Sequence, residues 1–202
     1  MVKVCGMTNV ADARAAADAG ADAVGFIFAE SPRRVGAEEA RRISIALPEN
    51  VLKVGVFVNA PPEEVLRTAA EAGLDMAQLH GDETPEVVAA VRAGGLPVMK
   101  ALRVRNADDL AGVEGFEADL FLLDAYSEEA RGGTGERFDW ALAKSLKGRG
   151  NIVVSGGLAP ENVRAAVDFF EPYGVDASSS LEDAPGKKNE ESVRRFIVAA
   201  KG

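Results

Sequence analysis

The sequence is poor in the residues on which several large classes of function depend. It holds one cysteine and one histidine in 202 residues. A single Cys permits no internal disulfide, which suits a reducing compartment. It also removes Cys-based zinc spacing, and the lone His80 removes any two-histidine metal motif, so no metal is expected. No apolar run approaches the length of a membrane span. The opening Met-Val-Lys-Val-Cys-Gly has no basic region followed by a long apolar stretch, so no signal peptide is expected. Positive charge is outnumbered, with 23 Lys and Arg against 32 Asp and Glu and a formal net charge of -9. That field repels phosphate backbones and anionic surfaces, so neither nucleic acid nor membrane is expected as a partner. A small phosphorylated ligand stays compatible, because backbone amides bind phosphate locally whatever the net charge. The expectation is a cytoplasmic protein, one domain over residues 1–202, present as a monomer or homodimer.

What the chain does have is alternation. Short apolar, β-rich runs predict strands at Val2 to Cys5, Ala23 to Phe28, Leu52 to Val58, Met76 to Leu79, Val98 to Leu102, Leu120 to Leu123, Ile152 to Val154 and Val175 to Ala177. Ala-rich amphipathic segments between them predict helices at Val10 to Ala19, Ala37 to Leu47, Pro62 to Ala72, Pro85 to Ala93, Ala107 to Gly115, Asp139 to Leu146, Pro160 to Phe170 and Glu190 to Ala200. Pro62, Pro85 and Pro160 fall in first-turn positions, where a missing N–H costs nothing, and Thr84 is placed to cap the helix after it. Gly20 and Gly73 end their helices in near-identical Gly-x-Asp steps, which Gly174 resembles. Strict βα alternation means a parallel sheet, and eight units of about 25 residues fit a closed (β/α)₈ barrel of the TIM type. An open doubly wound sheet is the rival, but the first turn, Cys-Gly-Met-Thr, lacks the glycine fingerprint of that fold.

In such a barrel the chemistry lies at the C-terminal ends of the strands. Cys5 ends the first strand, where Gly6 would let a ligand approach. It reads either as a small buried hydrophobe or as a base made useful by nearby cations. Asp124 ends the run Leu120 to Leu123. It reads as a turn-capping residue or as a general acid whose apolar border favours the protonated form. Ser155-Gly156-Gly157 after strand seven and Asp176 with Ser178-Ser179-Ser180 after strand eight occupy the recurrent phosphate site of these barrels. Arg33 and Arg34 offer a bidentate hold on a substrate carboxylate, or form a solvated surface pair. His80, ending strand four, is a structural or a site histidine. Gly132-Gly133-Thr134-Gly135 reads as a flexible lid. Lys100 invites a Schiff-base reading that nothing near it in sequence supports. Lys3 shares a face with Cys5 and is expected deeper in the barrel, in an ion pair.

Lys3-Val4-Cys5-Gly6-Met7-Thr8 resembles the opening of the phosphoribosylanthranilate isomerase family of tryptophan biosynthesis. The likeness continues in order through Gly25-Phe26-Ile27-Phe28, Ser31-Pro32-Arg33, Val54 to Asn59, Gln78-Leu79-His80-Gly81 and Leu122-Leu123-Asp124. It runs on through Gly132 to Gly135 with Phe138-Asp139-Trp140, Ser155 to Leu158 with Pro160 to Val163, and Pro185 to Lys188. The resemblance implies an Amadori rearrangement with Asp124 as general acid, Cys5 as general base and Arg33 on the anthranilate carboxylate. It also implies phosphate on the last two βα loops and no metal or organic cofactor. One departure stands out. Ser180 occupies a position that the family usually gives to glycine, and a positive φ there would strain it. Arg34 and Arg131 also differ from the family's usual residues. The competing readings are the sister phosphosugar isomerase of histidine biosynthesis, for which Asp176 would be a base, a metal-dependent pentose-phosphate epimerase, and a non-catalytic phosphate-binding barrel.

Overall fold

In a computed structural model, which describes residues 1–104, 113–125, 140 and 146–202, eight parallel strands close into a barrel in sequence order, β1 to β8. They are β1 Val2–Cys5, β2 Ala23–Ile27, β3 Leu52–Phe57, β4 Met76–Leu79, β5 Val98–Val104, β6 Leu120–Ala125, β7 Ile152–Val154 and β8 Gly174–Ala177. The described helices on the outside are α1 Val10–Asp18, α2 Ala37–Ser44, α3 Pro62–Ala72, α4 Pro85–Ala93, α5 Val163–Phe170 and α6 Glu190–Lys201. The expected helix at 107–115 is described only as a 3₁₀ turn at Val113–Gly115. The helix expected from Asp139 to Leu146, apart from Trp140 and Leu146, and the glycine cluster at 132–135 lie outside the described residues. No described helix is long and apolar enough to cross a membrane.

Strand alternation sorts the side chains into two cores. Outward residues such as Val4, Val24, Phe121, Leu123, Val154 and Val175 pack with the helices. Inward residues Met99, Ala101, Leu120, Leu122 and Val153 form a separate cluster with Met1 and Met76 against it, filling the lower barrel. One step higher, the inward positions at the ends of β4, β6 and β8 carry His80, Asp124 and Asp176, and the site begins.

Helix ends follow local chemistry. Gly73 ends α3 at φ 68, and Gly20 follows α1 at φ 98, as their sequence context requires. Gly174 does not repeat this role. It opens β8 against the carbonyl of Met1, while the left-handed residue ending α5 is Glu171 at φ 49. Thr84 occupies the N-cap of α4 but makes no side-chain capping bond. Helix α2 stops at Ser44 rather than Leu47, because Pro48 disfavours helical backbone at the residue before it. An unforeseen antiparallel hairpin, β9 Glu182–Ala184 and β10 Lys187–Lys188, follows a 3₁₀ turn at Ser179–Leu181.

Candidate active site

A cavity of about 690 Å³ opens at the C-terminal ends of the strands, lined by Cys5, Arg33, His80, Asp124, Gly156, Gly157, Asp176 and Ser178 to Ser180 among others. Cys5, Arg33, His80, Asp124 and the two small-residue loops thus meet at one mouth, whereas Arg34, Lys3 and Lys100 do not line it. The polar rim stands on Lys3 and Asp176, whose buried ion pair spans β1 and β8 at 2.9 Å. Ser155 Oγ donates to the other oxygen of Asp176 at 3.3 Å.

Cys5 lies over Gly25 of the neighbouring strand, so closely that a Cβ there would sit 2.6 Å from its sulfur. The thiol is pushed up by burial, and the ammoniums of Lys3 and Lys188 pull it down without cancelling that effect. Cations act on Cys5 as expected, but they do not win in the free protein. Gly6, at φ 80, admits side chains rather than an approaching ligand. A Cβ on it would meet Arg33 Cδ at 2.8 Å and Ser178 Oγ at 3.0 Å.

Asp124 and His80 are partners. Gln78 Nε2 lies 2.7 Å from His80 Nδ1, and His80 Nε2 lies 3.0 Å from Asp124 Oδ2. An amide nitrogen only donates, so Nδ1 accepts and Nε2 carries the ring proton toward the carboxyl. Gln78 Oε1 is buried with no partner among the described residues.

Arg33 is not free. Its Nε and Nη2 hold Glu182 of the hairpin at 2.7 to 3.0 Å, and Lys188 Nζ reaches the same carboxylate at 2.7 Å. Burial favours protonated Glu182, but hydrogen bonds from Arg33 and Lys188 outweigh it and hold the carboxyl below its ordinary range. A guanidinium has a second edge, formed by its two Nη groups, and that edge remains for a ligand carboxylate. Arg34, by contrast, is exposed to solvent.

Gly156 and Gly157 take consecutive positive φ values of 79 and 66. The N–H groups of Gly156, Gly157 and Leu158 find no protein acceptor among the described residues. Successive backbone amides left open in such a turn form an anion-binding concavity. Ser178 to Ser180 face it across the same cavity.

A family model described as N-(5'phosphoribosyl)anthranilate (PRA) isomerase matches residues 2–199. The chain belongs to that family. An N-(5'-phosphoribosyl)anthranilate isomerase from Rubrobacter xylanophilus is 69% identical over 202 residues, covering 99% of this chain and 98% of the relative. A structure of monomers generated from the dimeric isomerase of Thermotoga maritima superposes with a TM-score of 0.89 at 42% identity, over 100% of this chain and 98% of that one. A phosphoribosylanthranilate isomerase bound to reduced 1-(o-carboxyphenylamino)-1-deoxyribulose 5-phosphate superposes with a TM-score of 0.88 at 43% identity, again over 100% and 98%.

Against the isomerase family's usual glycine, Ser180 is not strained. The only described non-glycine residues at positive φ are Asn59 and Glu171, and Ser180 sits in the 3₁₀ turn with its hydroxyl donating to the carbonyl of Leu158. The serine therefore ties one phosphate-side loop to the other. Ser180→Gly is expected to cost about 1 kcal/mol, from the lost bond and the freer backbone, lowering the melting temperature by about 2–4 °C. Because the hydroxyl is already engaged, KM is expected to change less than about threefold, as steady-state kinetics beside a thermal melt would show.

Three site residues escaped the sequence reading. Gln78 stands two positions before His80 and so shares its face, a signal that strand alternation carried and that went unused. Glu182 and Lys188 belong to a two-strand hairpin too short to leave a periodic pattern, so nothing local announced them. Arg131 lies outside the described residues.

Proposed function

We infer that the cavity converts N-(5'-phosphoribosyl)anthranilate into 1-(2-carboxyphenylamino)-1-deoxyribulose 5-phosphate, an Amadori rearrangement in tryptophan biosynthesis. The observation carrying this reading is the arrangement of Cys5 and Asp124 on one cavity with the open amides of Gly156 to Leu158, the Ser178 to Ser180 loop and a guanidinium edge. The ligand held by the related isomerase has the matching parts, a phosphate at one end and an aromatic carboxylate at the other.

In this reading the phosphate rests on the amides of Gly156, Gly157 and Leu158 and on Ser178 to Ser180, and the anthranilate carboxylate meets the outer edge of Arg33. Asp124 gives a proton to the furanose ring oxygen. The C1'–O4' bond breaks, its electron pair stays on oxygen, and the nitrogen lone pair forms a C1'=N iminium. That cation acidifies the C2' proton, which the Cys5 thiolate removes. The C–H pair becomes a C1'=C2' bond, and the π pair returns to nitrogen as an enolamine. Ketonisation adds a proton at C1' and removes one from O2', so the reaction is a net isomerisation. His80 steadies the Asp124 carboxylate once its proton has gone, because a charge-assisted hydrogen bond is about twice as strong as a neutral one. The engagement of Asp176 by Lys3 and Ser155 weighs against its serving as a base for the histidine-pathway substrate.

The test is turnover of phosphoribosylanthranilate by the full chain without added metal. Conversion to the ribulose product is expected. A folded chain that binds the substrate and leaves it unchanged would sink this reading and favour a binding barrel.

A further inference from the structure

The isomerase reading leaves one fully buried charge without a task. Lys3 is 0% exposed and sits on β1, two residues before Cys5 on the inward face. A lysine ammonium in a barrel interior costs several kcal/mol of desolvation even when paired, and a well-packed apolar residue at such a place is often neutral or stabilising. Packing therefore does not explain it. Position does. The ammonium is fixed from the far side by Asp176 Oδ1 at 2.9 Å, and Ser155 fixes Asp176 in turn. The next inward residue of β1 above it is Cys5, whose thiolate the ammonium favours.

We propose that Lys3 is a positioning residue for proton abstraction, the counter-ion that lets Cys5 exist as a thiolate, with Asp176 aiming it from the neighbouring strand β8. The proposal rests on the isomerase reading for the use of the thiolate but not for its existence. As Cys5 ionises, its proton leaves to water through the open cavity, and the new negative charge lies over a cation already in place. When the thiolate takes the C2' proton it becomes neutral, and Lys3 keeps Asp176 as its partner, so no charge is stranded at either stage. Preorganised charge of this kind needs no rearrangement during the step. The charged groups around Cys5 are Lys3 on its own strand, Asp176 on β8, Arg33 after β2, and Glu182 with Lys188 on the hairpin. Arg33 and Lys188 share the Glu182 carboxylate, which leaves Lys3 and Asp176 as the pair with most direct control.

Cys5 is the only cysteine, so the pH dependence of iodoacetamide alkylation of the folded, substrate-free chain reports its ionisation without ambiguity. Lys3→Met is expected to move the midpoint up by roughly one pH unit or more, and Lys3→Arg to keep it near wild type. Asp176→Asn is expected to move it down, because an anion that disfavours the thiolate is gone. These opposite signs keep the test alive if Lys3→Met fails to fold. Coincident profiles for wild type and Lys3→Met, or an upward shift in Asp176→Asn, would overturn the proposal. Shifted alkylation with no turnover in the wild type would uphold Lys3 as the counter-ion and count against the isomerase reading alone.

Discussion

Cys5→Ser is expected to lower kcat by about 10²–10⁴-fold, the usual contribution of a positioned acid or base, while leaving the melting temperature almost unchanged. The hydroxyl occupies nearly the same space over Gly25 but is a far weaker base than a thiolate. Asp124→Asn is expected to cause a loss of the same order, because an amide has no proton to deliver to the ring oxygen. Its carbonyl still accepts from His80, so the strand ends stay tied. The two losses should not multiply. Groups that act as a unit lose most of their effect when either is removed, so the double variant should fall little below the worse single one. The pH profile adds a sign. Burial holds the Cys5 thiol above its ordinary range in the free protein. The deprotonated fraction therefore grows as pH rises, and alkylation of the thiol in the free protein should climb through neutrality into the alkaline range. Side-by-side kinetics of the three variants and wild type would check the losses. Cys5→Ser retaining near-native kcat would move the base to another residue, with Asp176 the first to examine.

The barrel and its mouth were legible because they rest on short-range patterns. Period-two apolar runs, first-turn prolines at Pro62 and Pro85, and terminal glycines at Gly20 and Gly73 each state local geometry directly. Strand-end position then selected Cys5, His80, Asp124 and the two small-residue loops, and the resemblance supplied roles for them. What stayed hidden involves pairings between distant parts of the chain. Nothing near Arg33 in sequence shows that Glu182, 149 residues on, holds one edge of its guanidinium. The ion pair of Lys3 was expected, but its partner Asp176 lies 173 residues away. Boundaries failed where a side chain replaced the backbone pattern. Asn162 Oδ1 accepts from Ala159 N and its amide donates to Gly157 O, so the segment after Pro160 stays a turn and α5 begins only at Val163. That same bond braces the glycine turn facing the cavity.

Lys100→Met is expected to be the most damaging of these changes to stability, by about 3–5 kcal/mol, or on the order of 10 °C in melting temperature. Lys100 shares the outward face of β5 with Val98 and Leu102, away from the cavity, which removes the Schiff-base reading. Its ammonium meets Glu83 at 2.8 Å and the carbonyls of Leu79 and Gly81 at 3.2 and 2.9 Å. Those carbonyls flank His80. Glu83 in turn accepts from the backbone N–H of Asn59 and of Gly81, binding the ends of β3 and β4 together. Methionine would fill the space, so the loss would come from charge rather than from a cavity. Glu83 would remain buried and anionic without its cation. Burial lowers Lys100 against the pull of Glu83. The unfolded chain then binds the lysine proton more tightly, so this group favours folding as pH rises toward its ordinary range. Adding Glu83→Gln to Lys100→Met should recover a large part of the loss, since no charge is left uncompensated. His80 should be misplaced in the single variant, lowering kcat by a further roughly tenfold among the molecules that still fold. Chemical denaturation of the two variants and wild type at two pH values would measure each of these terms. A single variant as stable as wild type would show that the buried pair contributes nothing to holding the strand ends in place.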